Sequence, residues 1–370
     1  MDSRYPRYQL AANDSSYVST HPIFQKILIN QINNKFNVSS IDKLIDELIQ
    51  VEERLFSNGR ISKKSFEMLL SRLQSHILPY FSGQAIHEIS SNNLYAFKEY
   101  LKEFNLIDIT IDQYFNVLRK LFKLARSKNL IQEIPQFPDL NKESTPRGGF
   151  TTKEYLKILK YSKFLSAQKI SFNYKSTHRD TRQGIYSSQK VFPYEFAWLI
   201  GFMVNSFVRP VDIKLIQHKH VEIVRGKHIY LRLSLPETKK HKIQIVTLRP
   251  AVRIYEKLFE HMLNRNAASP DDFLFLPEIK DREAASYLIT KHFRKILIDL
   301  NLRKGALGQN RSLYSLRHTA ITFRLLYGKG IDLLTLAKNA RTSVEMIERF
   351  YASELTPEMN IDLLQSRRSI

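Results

Sequence analysis

The 370-residue chain has no cysteine. That excludes disulfides, thiolate metal sites and thiol nucleophiles, and leaves any covalent chemistry to oxygen or nitrogen. It also lacks an apolar run near the roughly 20 residues that a membrane-spanning helix needs, and it has no lipidation box, so no membrane partner is expected. Its first ten residues carry Asp2, Arg4, Pro6 and Arg7 where an export signal would need an apolar core. A cytoplasmic location is therefore expected. Negative charge is the scarcer sign, with 36 Asp and Glu against 57 Lys and Arg and a net charge of +21. Such an excess suits a polyanion, and with membranes set aside the favoured partner is nucleic acid. At 43% hydrophobic and 25% charged, the composition is that of a folded globular protein, long enough for two or three units. No His-x-x-x-His pair or carboxylate cluster has metal-ligand spacing. Neither a metal nor a cofactor is expected.

The apolar pattern divides the chain. Residues 1–58 hold one amphipathic stretch, Ile41 to Leu55, behind a polar segment, and read as an N-terminal arm of unknown role. From Ile61 the residues Phe66, Leu69, Leu70, Leu73 and Ile77 recur at helical spacing until Pro79, which is expected to stop the run. A second helix from Ile111 to about Lys128 has an apolar stripe of Ile111, Phe115, Leu118, Phe122 and Ala125. Its remainder is basic, with Arg119, Lys120, Lys123, Arg126 and Lys128. That face suits phosphates, although a solvated surface helix is the plain alternative. Residues 59–132 thus form a helical unit. Residues 133–150, rich in Pro, Gly and Ser, read as a linker.

A second unit, residues 151–370, opens with helices over Thr151 to Leu165 and Tyr194 to Phe207. Between them a polar, basic insertion over 171–190 reads as a loop. Alternation around Arg225-Gly226 and around Pro236 to Lys242 then predicts three short antiparallel strands. After them helices return over Val252–Arg265, Ala284–Leu300, Ser312–Tyr327, Leu333–Ala340 and Val344–Tyr351. The expected fold is mainly α with a small antiparallel sheet.

The segment "LYSLRHTAITFRLLYGKGIDLLTLAKNARTSVEMIERFYAS" resembles the signature of the tyrosine recombinase, or phage integrase, family. Tyr351 falls on that family's nucleophile and Arg317 in "YSLRHT" on its second arginine. Arg209 in "NSFVRPVDIKLI" falls on the first, with Asp212 at a position that is usually acidic. Lys239, at the turn in "LPETKKHKIQIVTL", falls on the general acid, with Lys240 and Lys242 as neighbouring competitors. The sequence departs from the family pattern twice: Tyr314 stands where it has His, and Thr342 where it has His or Trp. His318, next to Arg317 and so about 100° around the helix from it, reads as structural. Thr342 with Glu345 also reads as a capping box.

The chemistry explains these residue types. An Arg fork matches two phosphate oxygens and neutralises charge that grows in the transition state. A Tyr hydroxyl, with a pKa near 10, needs neighbouring cations or a base before it attacks. A Lys can protonate the departing 5′-oxygen.

The resemblance extends over roughly residues 60–365 and implies a core-binding helical domain followed by a catalytic domain. It further implies a site-specific recombinase, an integrase or excisionase of a mobile element, that cleaves and rejoins double-stranded DNA attachment sites through a 3′-phosphotyrosine without metal or ATP. The implied assembly is a homo-tetramer on DNA, clamped in a C shape and exchanging C-terminal segments such as Glu354 to Ile370. Accessory DNA-bending or directionality factors and a nucleoid-associated, bacterial setting also follow from it. A DNA-binding protein that keeps the fold but has lost cleavage is the rival from another class. A type IB topoisomerase would share the chemistry.

Overall fold

In a computed structural model, the described residues are 40–141, 148–168, 171–172, 190–236, 243–306, 308–328 and 330–351. The chain divides into two compact units, Met1–Ser144 and Thr145–Ile370.

The first unit is helical. Helix α1 (Ile41–Ser57) is capped by the Ser40 hydroxyl and buries Ile41, Leu44, Ile45, Leu48 and Ile49. This stretch, read from sequence as part of an arm, shares one core with the later helices. Its apolar stripe needs a partner surface, which the helices over Lys63–Arg72 and Asp108–Ser127 supply, the second of them beyond the reach of a local pattern.

Helix α2 (Lys63–Arg72) runs into a wide π-helical turn at Leu73–Ile77 and then a short helix α3 (Leu78–Phe81). Pro79 therefore does not stop the run. In the wide turn the Leu78 N–H reaches back to the Leu73 carbonyl, and the looser winding accommodates a proline ring that an ideal α-helix would reject. Helix α4 (Ser91–Glu103) starts in a Ser90/Asn93 capping box. Helix α5 (Asp108–Ser127) buries the expected stripe and also Tyr114, Val117 and Leu121.

The basic remainder of α5 is largely paired. Lys120 meets the buried Glu52 of α1 at 2.6 Å and Lys128 pairs with Glu47 of the same helix. Arg119 contacts Asp112 at 3.3 Å and lies over the Phe137 ring. Only Lys123 and Arg126 of the five are exposed with no partner among the described residues. Both ends of the expected linker are packed. Phe137 meets Phe115 and Phe122 in the first unit. In the second, the Phe150 N–H donates to Thr319 Oγ1 at 2.8 Å.

The second unit is organised about helix α7 (Phe196–Ser206), which buries all of its eleven residues except Trp198 and Asn205. A helix that is apolar on every side needs cover on every side. Helices α6 (Thr152–Ala167), α9 (Arg249–Leu263) and α11 (Tyr314–Tyr327) supply it. A short helix α8 (Pro210–Ile213) follows α7, and α10 (Arg282–Asp299) lies against α6 and α8. Strands β1 (Ser171–Phe172) and β2 (Lys190–Val191) pair antiparallel, so the insertion read as a loop begins and ends in a two-residue ladder. Strands β3 (Val221–Val224), β4 (Tyr230–Leu233) and β5 (Ile245–Val246) form the predicted antiparallel sheet in that order.

Beyond α11 the chain forms α12 (Leu333–Asn339) and α13 (Val344–Tyr351). A small separate core of Phe207, Ile321, Leu325, Leu336, Ile347 and Tyr351 holds these helices to α11. Mainly helical with a small three-stranded antiparallel sheet, the architecture is the expected one, with the two-residue β1–β2 ladder in addition to the expectation.

Candidate active site

The end of α7 sets up the site. Phe207 caps the helix in the left-handed conformation, at φ 58°, and turns the chain so that Val208 is buried and Arg209 precedes α8. Asp212 Oδ2 accepts the Arg209 backbone N–H at 2.8 Å, which fixes where the Arg209 side chain leaves the main chain. Its Nη2 donates to the carbonyl of Arg341. Its Nη1 is buried without a hydrogen-bond partner among the described residues.

Arg317, on the first turn of α11, is 2% exposed. Nη1 donates to the Phe207 carbonyl and Nη2 to the Ala340 carbonyl. Two arginines from distant stretches are thus oriented by three backbone carbonyls. A carbonyl can aim a guanidinium but, unlike a carboxylate, does not cancel its charge. Burial, and next the Arg209 cation, pull the Arg317 pKa below the ordinary guanidinium value. Two cations in a buried space raise each other's energy and favour the arrival of an anion.

Tyr351 ends α13 and is 6% exposed. Its ring lies 5.0 Å from that of His318, and the His318 ring in turn meets Tyr314 edge-on at 5.3 Å. Burial pushes the Tyr351 pKa well up, against the opposing pull of the Arg317 cation. As packed here the phenol is held protonated, and a further cation or a proton acceptor has to arrive before it becomes a strong nucleophile.

The structure therefore brings Arg209, Arg317, Tyr314 and Tyr351 together. Thr342 lies one residue beyond Arg341, and its N–H closes α12 onto the Ala337 carbonyl at 2.9 Å. The helix-capping role read for Thr342 belongs instead to Ser343, whose hydroxyl accepts the Met346 N–H at 3.2 Å. Lys239, like Lys240 and Lys242, lies outside the described residues. The strand after it is described: Asn339 of α12 grips Val246 of β5, accepting its N–H at 2.8 Å and donating to its carbonyl at 3.0 Å.

His318, read from sequence as a structural residue off the Arg317 face, packs directly on Tyr351. It is four residues from Tyr314, so those two share a face. Arg341 has no counterpart in the sequence reading. It is 2% exposed, and its Nη1 lies 3.8 Å from Asp212 Oδ1. Among the described residues no group of three or more His, Asp or Glu could hold a metal ion, and no helix is long and apolar enough to cross a membrane.

Residues 43–142 match the family model of the phage integrase SAM-like domain. A Tn1549 transposon integrase solved with transposon right end DNA superposes with a TM-score of 0.58 at 15% identity, covering 90% of this chain and 100% of that one. The chain has the tyrosine recombinase integrase fold. A lambda integrase tetramer bound to a Holliday junction matches with a TM-score of 0.59 at 16% identity, over 93% of this chain and 83% of that one. A lambda integrase dimer bound to a COC′ core site matches with a TM-score of 0.58, again at 16% identity and over the same shares of the two chains. No curated protein sequence matches.

Proposed function

We propose that this chain is a site-specific DNA recombinase that breaks and rejoins strands through a 3′-phosphotyrosine link, without metal or ATP. The observation that carries the reading is the buried Arg209 Nη1, unpartnered among the described residues and set beside a carbonyl-held Arg317 and Tyr351. An unpaired N–H on a buried cation is costly, and a phosphate oxygen would satisfy it.

In this mechanism Arg209 and Arg317 hold the non-bridging oxygens of the scissile phosphate. Their charge stabilises the pentacovalent transition state more than the ground state. The Tyr351 proton passes to a proton acceptor that the bound DNA or solvent supplies as the tyrosine oxygen bonds to phosphorus. The bond from phosphorus to the 5′-oxygen breaks, and Lys239 supplies that oxygen with its proton. Because phosphotyrosine keeps the phosphodiester's energy, a 5′-hydroxyl from another strand can reverse the steps and reseal. Double-stranded attachment sites, a four-protomer assembly and accessory factors are part of this proposal, which the net charge of +21 supports by favouring a polyanion.

Incubation with a nicked suicide substrate, followed by denaturing electrophoresis, tests the reading. Wild type should form a covalent protein–DNA adduct and Tyr351→Phe should form none while still shifting the same DNA in a native gel. An adduct with Tyr351→Phe would move the nucleophile elsewhere. If wild type shifts DNA but forms no adduct, the chain is a binding protein on a recombinase fold.

A further inference from the structure

Arg341 occupies a position that its residue type does not favour. At φ 54° its backbone is in the left-handed region, where glycine pays no steric penalty and a branched or long side chain does. Yet the chain places an arginine there and buries it to 2% exposure. A buried guanidinium at a strained backbone position persists when its contacts over-determine it.

Those contacts form a closed ring. The Arg209 N–H donates to Asp212 Oδ2 at 2.8 Å, and Asp212 Oδ1 faces Arg341 Nη1 at 3.8 Å with the two side chains 1% and 2% exposed. The Arg341 carbonyl then accepts from Arg209 Nη2. Arg209 is therefore held at both ends, main chain and guanidinium, by a path that passes through Arg341. The preceding carbonyl, that of Ala340, holds Arg317. Helix α13, which carries Tyr351, begins three residues later.

We propose that Arg341 is a positioning residue: through Asp212 and its own carbonyl it aims Arg209 at the scissile phosphate and ties that aim to the helix bearing Tyr351. This rests on the recombinase reading given above. Arg341 acts on the phosphate only by way of Arg209. Its left-handed φ serves the role directly, since it turns the carbonyl of residue 341 towards Arg209 while the side chain reaches Asp212.

The test compares two suicide substrates in single-turnover adduct formation, one with an ordinary scissile phosphate and one with a neutral methylphosphonate there. Arg341→Gly keeps the carbonyl, suits the left-handed turn and removes the side chain. On the ordinary substrate it should slow adduct formation by roughly tenfold to a hundredfold, the scale of a misplaced catalytic group, with DNA affinity unchanged within about threefold. On the methylphosphonate, where no charged non-bridging oxygen needs Arg209, the gap between Arg341→Gly and wild type should shrink, as it should for Arg209→Ala. Arg341→Lys, which retains a cation for Asp212, should recover part of the rate. An unchanged rate for Arg341→Gly overturns the proposal, and so does an equal loss on both substrates, which would mark Arg341 as a residue of the fold alone. Those two results leave the recombinase reading standing. Absence of any wild-type adduct overturns both.

Discussion

The basic helix of the first unit and the candidate site of the second hold their cations in opposite ways. In the first, Lys120 and Lys128 of α5 face Glu52 and Glu47, and Arg119 faces Asp112. In the second, Arg209 and Arg317 donate to the carbonyls of Phe207, Ala340 and Arg341. A carboxylate neutralises its cation and fixes two helices together. A carbonyl orients the cation and leaves its charge for another partner. Within the second unit Arg311 confirms the distinction, since its two-pronged contact with Glu154 at 2.8 and 3.1 Å joins α6 to the approach to α11. Basic residues along a sequence therefore say little about anion binding until their partners are known.

The largest effect that would break this comparison lies at Arg317. Arg317→Ala removes the charge and leaves two buried carbonyls without donors, so adduct formation should fall by about a hundredfold to a thousandfold or more, the cost of losing a transition-state donor. A quench-flow or gel time course reads it. A loss under tenfold would place Arg317 with Arg311 among the structural arginines.

A smaller effect distinguishes the units by their titrating groups. In the first unit Asp46 is pushed up to about 7, by burial first and then by Asp42 and Glu47. In the second, burial drives His292 down to about 4, among Phe192 and Phe196. A depressed histidine stabilises the fold above its unfolded value of 6.5, and that contribution is lost as the pH falls through about 4. Over that window it is worth roughly 3 kcal/mol. The raised carboxyl has the opposite sign, stabilising at low pH and losing its contribution as the pH rises through about 7. Calorimetry between pH 7 and 4 should find that His292→Leu flattens the acid loss of the second unit's transition. Asp46→Asn should flatten the alkaline loss of the first. Unchanged pH slopes would remove this part of the contrast.

The smallest effect sharpens the comparison at α5. Glu52→Gln releases Lys120 from its carboxylate, so DNA affinity at low salt should rise by less than about tenfold and the salt dependence should steepen by up to about one unit. Fluorescence anisotropy across a salt series measures both. No change in either would show that this side of α5 does not meet DNA.

Much of the architecture could be read directly from the residues. Period 3.6 located α5, α6, α9 and α10 because each buries a continuous stripe, and alternation located the three-stranded sheet. Tyr351, Arg317 and Arg209 were singled out by the resemblance to the tyrosine recombinase signature, and the fold brings them together. Other features depend on partners that are distant in sequence. The place of Ile41–Ser57 in the first core is set by helices further along the chain. The passage of a helix through Pro79 depends on a wide turn that has no residue code. Arg341 had no signal either, because a buried arginine at positive φ looks in sequence like any surface arginine between Ala340 and Thr342. The contact of His318 with Tyr351 was likewise not legible, because its angle from Arg317 does not reveal the face it shares with Tyr314, four residues back.

The packing of Tyr351 against His318 of the same chain has a genetic consequence. In this packing Tyr351 meets the arginines of its own polypeptide, so a copy that lacks Arg317 or Tyr351 is defective on its own account. Two inactive alleles, one lacking Arg317 and one lacking Tyr351, should therefore fail to complement when co-expressed or mixed, because no pairing of copies reunites a whole site. A population of such proteins could not hide a damaged nucleophile behind a healthy neighbour, and every copy would be exposed to selection on its own sequence.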